Sequence, residues 1–169
     1  MGRNPPNDIN VVVEIPKGSD IKYEIDKEIG ILRIDRKLSP SMVYPGNYGF
    51  IPQTLSGDGD AADVLVIGEI TVLPVTVLNS RPIGLLITED DKGEDSKIIS
   101  VPSSVIDPTV SHVRDIVDIQ PYVRHQLEHF FQHHKDLEKG KFVKILGWKN
   151  RIDAIRLVTE SMNRYQMNH

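Results

Sequence analysis

Between Val11 and Val101 the sequence reads as short strands of four to six residues separated by Pro, Gly and other turn residues, and no helical crossover fits between them. A parallel doubly wound sheet needs helical crossovers. The pattern therefore points instead to a small closed or nearly closed antiparallel barrel. Predicted strands lie at 11–15, ended by Pro16, at 22–26 and 29–34, joined by a Lys27-Glu28 link into an early hairpin, and at 64–67, 70–73, 83–87, 98–101 and 142–146. Residues 39–53, reading SPSMVYPGNYGFIPQ, are predicted as a Pro/Gly loop carrying three aromatics.

Two helices follow late in the chain. The first is predicted from Pro121 to about residue 138, with Asp118 upstream as a cap and Gly140 as the stop. Val123, Leu127, Phe130, Phe131 and Leu137 keep helical spacing and are expected to pack on the barrel. The second, at 153–165, is expected to bury Ile155, Val158 and Met162. The expected class is α+β, mainly β, with two helices on a barrel. At 169 residues, 39% hydrophobic and 26% charged, the chain suits one globular domain over 1–169, and it contains no internal repeat. No cysteine is present, which excludes disulfides and thiolate metal sites. The N-terminus MGRNPPNDIN has no leader character, and the apolar stretches fall far short of the roughly 20 residues of a membrane helix. A cytoplasmic protein that touches no membrane is expected.

The net charge of −4 argues against nucleic acid as a partner, because backbone binding wants a basic face. That average hides a contrast. Between Asp58 and Asp95 nine acids face two bases, a local charge of −7, and the rest of the chain carries +3. Such a surplus is either a solvated acidic face or a cation site.

Asp58-Gly59-Asp60-Ala61-Ala62-Asp63 runs directly into the apolar 64–67 strand. Asp-Gly-Asp alone reads equally well as an acidic surface turn. A third carboxylate at the mouth of a buried strand favours a metal, since like charges this close repel unless a cation neutralises them. An EF-hand is disfavoured: the glycine position holds Asp63, and a strand follows where a helix should flank the loop. The second acidic cluster, Glu89 to Asp95, would by itself be a solvated hairpin tip. Facing the first across a barrel rim, it could complete a site for Mg2+, which takes carboxylates, retained waters and phosphate.

A cationic and aromatic group accompanies these acids. Lys22 and Glu24 share a strand face, Arg36 closes another strand, Tyr44 and Tyr48 lie in the Pro/Gly loop, and His134 and Lys135 sit on the long helix. Singly each is an ordinary surface residue. Together they are the donors an anionic substrate requires. His125, His129 and His133 form a helical stripe that reads as a polar face, a subunit contact or, less simply, a zinc site; His134 falls off that stripe, on the packed side.

With these residues in place, the sequence resembles the family I soluble inorganic pyrophosphatases, short prokaryotic branch. The resemblance runs from about Glu14 to Trp148 through an ordered series: VVEIP, IKYEID, DR, YPGNYGFIP, DGDxxDVLV, RPIG, GEDSK and HFFxHxKDLEKGK. It implies a five-stranded OB-like closed barrel and Mg2+-dependent hydrolysis of pyrophosphate to two phosphates. By resemblance, Asp58, Asp63 and Asp95 would hold a first Mg2+, Asp63 would reach a second, and Asp90 with Asp95 would hold one arriving with substrate. Asp60 would be the base for the attacking water. Glu14 and Glu24 would support the metal shell, and Lys22, Arg36, Tyr48, Lys97, Lys135 and His134 would grip the phosphoryl groups, with Tyr44 nearby. A homohexamer is also implied, with His129 and His133 at subunit contacts. The charges agree: five aspartates against Lys22, Arg36, Lys97 and Lys135 leave no surplus to attract an anion of roughly −3 to −4, so divalent ions must reverse the balance.

Two departures from the family pattern stand out. Ala61 and Ala62 replace a Pro and a larger apolar residue, so a more mobile loop is expected; His134 stands where Tyr is usual, so a changed pH dependence or product affinity is expected. An OB-like module that binds nucleic acid or Ca2+ without catalysis, and an inactive or substrate-shifted paralogue, are the competing readings.

Overall fold

The structure is a computed structural model and describes residues 2–168. Five strands close into a ring. In spatial order these are β1 (Ile9–Ile15), β4 (Asn47–Phe50), β5 (Asp63–Val66), β7 (Gly93–Pro102) and β6 (Val77–Asp90), and β6 returns to pair with β1 from Ile9↔Ser80 to Val12↔Val77. The fourteen-residue β6 can serve β1, β7 and β8 (Val143–Lys149) because register shifts at Pro82/Gly84 and Ile87/Thr88 bend it around the ring. A separate hairpin of β2 (Ile21–Ile25) and β3 (Leu32–Lys37) stands beside β1. Helices α1 (Pro121–His133) and α2 (Arg151–Asn168) pack outside, and none of the described helices is long and apolar enough to cross a membrane.

Strand alternation builds two cores from one sheet. On β5, Leu65 packs with Ile15, Leu86, Ile99, Phe130 and Phe131 on the α1 side, while Val64 and Val66 pack with Val11, Val13, Ile98, Ala154 and Val158 on the α2 side. Burying Leu127, Phe130 and Phe131 of α1 is worth roughly 1.5–3 kcal/mol each.

Several expectations change. One ring pairing, β5 with β7, is parallel; the chain crosses between them through β6, a ring member, so no helix is needed. β4 lies inside the segment read as loop, hidden because Asn-Tyr-Gly-Phe is short and lacks a β-branched run. Residues 70–73 form no strand: the buried Asn47 amide donates to the Ile70 carbonyl (2.9 Å) and its oxygen accepts from Val72 (3.3 Å) and Lys17 (3.1 Å), doing the work of a paired neighbour. The 29–34 strand starts later, at Leu32, because the Asp26 carboxylate caps the Glu28 and Ile29 amides and makes 26–31 a turn.

α1 stops at His133, short of 138, and Leu137 is 71% exposed rather than packed. Asp118 caps no part of α1; its carboxylate accepts from Arg114 and Asp115 and closes the short turn Ile116–Asp118. α2 buries Ala154, Val158 and Ser161, leaving Ile155 and Met162 half-buried.

Candidate active site

All fourteen site residues expected from the sequence line one cavity of about 840 Å3 at the mouth of the ring. The ring puts them there. β1 supplies Glu14, the hairpin supplies Lys22, Glu24 and Arg36, β4 supplies Tyr48 and the loop before it Tyr44. The turn into β5 supplies Asp58, Asp60 and Asp63, β6 ends on Asp90, β7 carries Asp95 and Lys97, and the turn after α1 carries His134 and Lys135. The Asp58–Asp63 turn folds because the Asp58 carboxylate accepts from the Asp60 amide at 3.0 Å and Gly59 takes φ +91°, a conformation that disfavours side chains. The loop is also anchored: buried Ala62 donates to Thr54 Oγ1 (2.9 Å) and accepts from Ile51 N (3.0 Å).

Lysines hold the carboxylates. Lys97 Nζ bridges Asp63 (2.5 Å) and Asp95 (2.7 Å), and Tyr48 also donates to Asp63 at 2.7 Å. Lys135 reaches Asp90 at 2.9 Å, and Lys27 pairs with Asp60. Lys22 and Arg36 meet at Asp35 (3.1 and 3.0 Å), and Arg36 Nε lies 3.0 Å from Glu138 Oε1, an ion pair whose angle makes no hydrogen bond. Glu24 pairs with Arg33 at 3.4 Å, and Glu14 accepts from the Ile25 amide at 2.7 Å.

Titration follows these surroundings. Burial, with the Asp63 charge adding, raises the Glu14 carboxyl despite the Ile25 hydrogen bond. Burial also penalises the Lys97 ammonium, yet Tyr48, Asp63 and Asp95 outweigh it and hold its pKa well above the ordinary value. For Asp90, burial is overcome by the Lys135 hydrogen bond and the Lys92 amide, and its pKa falls. The phenols of Tyr44 and Tyr48 are both raised, chiefly by burial.

His134 differs from expectation. Its ring stacks on Phe130 (centroids 5.2 Å apart, 18° between planes), and burial lowers its pKa to about 4. Neutral imidazole whose Nδ1–H donates to the Phe131 carbonyl (2.8 Å) leaves Nε2 as an acceptor. Near neutral pH it therefore adds no positive charge to the cavity and has no second ring N–H to donate.

Among the described residues no three Asp, Glu or His side chains have closed into a metal-holding group. The donor set nevertheless suits a hard divalent cation. Asp58, Asp60, Asp63, Asp90, Asp95 and Glu14 line one cavity and offer it carboxylate oxygens, and Glu14 feels the Asp63 charge. Sequence reasoning missed Lys27 as a site residue, treating it as a hairpin link; the available signal was its place directly after the IKYEID motif. Glu138, held against Arg36, was likewise quoted only as part of a motif.

Fold and site together define a closed-barrel protein whose mouth sets a carboxylate row against lysines and arginine, an arrangement made for a metal-assisted reaction on an anion. Residues 11–166 match the family described as inorganic pyrophosphatase, and the chain belongs to that family. It is 48% identical to the inorganic pyrophosphatase of Aquifex pyrophilus over 98% of this chain and 93% of that one, and 47% identical to that of Saccharolobus solfataricus over 96% and 95%. The crystal structure of inorganic pyrophosphatase from Thermus thermophilus superposes with a TM-score of 0.94 at 42% identity, covering 98% of this chain and 95% of that one.

Proposed function

We propose that this chain hydrolyses inorganic pyrophosphate to two phosphates with Mg2+, as a single domain over residues 1–169. The observation that carries the reading is one cavity in which the Asp58, Asp60, Asp63, Asp90 and Asp95 carboxylates stand beside Lys22, Arg36, Lys97 and Lys135. Asp58, Asp63, Asp90 and Asp95 would hold the metal, with Glu14 and Glu24 behind them. Bound there, Mg2+ supplies Lewis-acid charge to the phosphoryl oxygens and acidity to water.

The chain's own residues do the rest. Asp60 takes the proton of the attacking water. Lys97 and Lys135, released from their aspartates, donate to the phosphoryl oxygens with Lys22 and Arg36. Tyr48 keeps Asp63 oriented through its hydroxyl, and Tyr44 closes the wall beside it. His134 contributes shape and an acceptor.

Phosphate release from pyrophosphate, measured with Mg2+ and again with excess EDTA, tests this. Release is expected only with Mg2+, and none at saturating Mg2+ would overturn the reading in favour of a binding module. A cytoplasmic homohexamer remains part of the proposal; light scattering at micromolar concentration should give about six chain masses, and a monomer would refute the assembly.

A further inference from the structure

Four carboxylates of the row, Asp60, Asp63, Asp90 and Asp95, each meet a lysine. Lys97 and Lys135 come from β7 and the turn after α1, elements rooted in the ring and its packing. Lys27 is different. It stands in the turn of the β2–β3 hairpin, outside the ring, and reaches Asp60 on the same cavity, 33 positions along the chain. The turn is already satisfied within itself, through the Asp26 carboxylate and the Gly30 N–H to Asp26 carbonyl bond (2.8 Å), so it does not need Lys27 to hold its shape. On the barrel side the hairpin is tied by Ile25 N–H to Glu14 (2.7 Å). Lys27 thus adds a second tie, to the turn that leads into β5. Asp60, followed by Asp58 and Glu14, holds its ammonium in the charged form.

We infer that Lys27 is a positioning residue that ties the hairpin to the acidic turn as the internal counter-ion of Asp60, and that its ammonium, held there beside Asp58, opposes loading of the carboxylate row by a divalent cation. The inference rests on the function proposed above and deepens it. The ammonium offsets negative charge at the turn that carries Asp58, so Lys27 tunes the metal requirement without touching the substrate. The pair is largely exposed, with 76% and 64% of the two side chains accessible, and exposed pairs couple weakly. The expected effect is therefore about two- to fivefold in metal affinity.

The test is Mg2+ titration of the substrate-free protein by calorimetry, beside the Mg2+ half-saturation of phosphate release. Lys27→Gln should bind Mg2+ about two- to fivefold more tightly and reach half-saturation at correspondingly lower Mg2+. Lys27→Arg, which keeps the charge, should retain wild-type affinity. Lys37→Gln removes a charge from the same hairpin where it pairs with Asp20, away from the cavity, and should leave Mg2+ binding unchanged. In an Asp60→Asn background the Lys27→Gln shift should vanish. Unchanged Mg2+ affinity in Lys27→Gln, an equal shift in Lys37→Gln, or a shift that persists without the Asp60 charge would each overturn the inference. Wild-type protein that binds Mg2+ but releases no phosphate would instead refute the hydrolysis, and the calorimetric comparison would still read the tie.

Discussion

Asp60 is the side chain on which the proposed chemistry turns: it leaves the acidic turn toward the cavity mouth, is largely exposed, and is held by an ammonium rather than by the barrel. Asp60→Asn keeps size and the turn while removing the base. Turnover should fall roughly 10²–10⁴-fold while the melting temperature and calorimetric Mg2+ binding stay close to wild type. A near-normal rate would place the base elsewhere. His134 makes a separate prediction at this scale. Its folded pKa of about 4 lies below the 6.5 of an unperturbed imidazole, so folding favours the neutral ring. That stability is present above about pH 6.5 and is lost as pH falls toward 4. His134→Tyr should remove about 1–2 kcal/mol of pH-dependent stability change between those limits, discounted for partial exposure. Parallel acid denaturation curves for the two proteins would show that His134 does not titrate there.

Among the elements, β4 shows most sharply what pattern could not reveal. Its glycine, Gly49, lies so close to β1 that a Cβ would overlap the Val12 carbonyl oxygen. Backbone proximity of that kind leaves no mark on hydrophobic periodicity. Gly49→Ala should destabilise the protein by about 3 kcal/mol, read as a lowered urea midpoint; an unchanged midpoint would mean that β1 and β4 can part without cost. β5 and the Ile98–Val101 half of β7 were legible because they are buried on both faces and read as continuous apolar runs. The end of α1 was not. HHKDLEKGK keeps good helix formers past His133, but Lys135 is drawn to Asp90 and Glu138 to Arg36, and these contacts with distant segments turn the chain out of the helix.

For the whole molecule, loading the cavity should couple to global stability. A cation that binds only the folded ring stabilises it by mass action, about 2.7 kcal/mol at a hundred times its Kd. For a chain of this length that is roughly 5–10 °C in melting temperature. Calorimetric scans in Mg2+ and in EDTA should differ by this amount, and coincident scans would mean that the carboxylate row takes up no metal in the folded state.

Residue order alone settled the chemistry on offer, because hard oxygen donors, cations and turn glycines announce themselves within a few positions of one another. The Asp58–Asp63 turn, the Lys97 strand and the absence of cysteine needed no coordinates. Closure of the ring decided the rest. Lys97 meets Asp63 across 34 positions, Lys135 meets Asp90 across 45, and Lys27 meets Asp60 across 33. Those pairs and the buried, neutral His134 arise because the ring closes and the hairpin and α1 pack on it, which brings distant segments to one cavity, and no local pattern encodes such contacts.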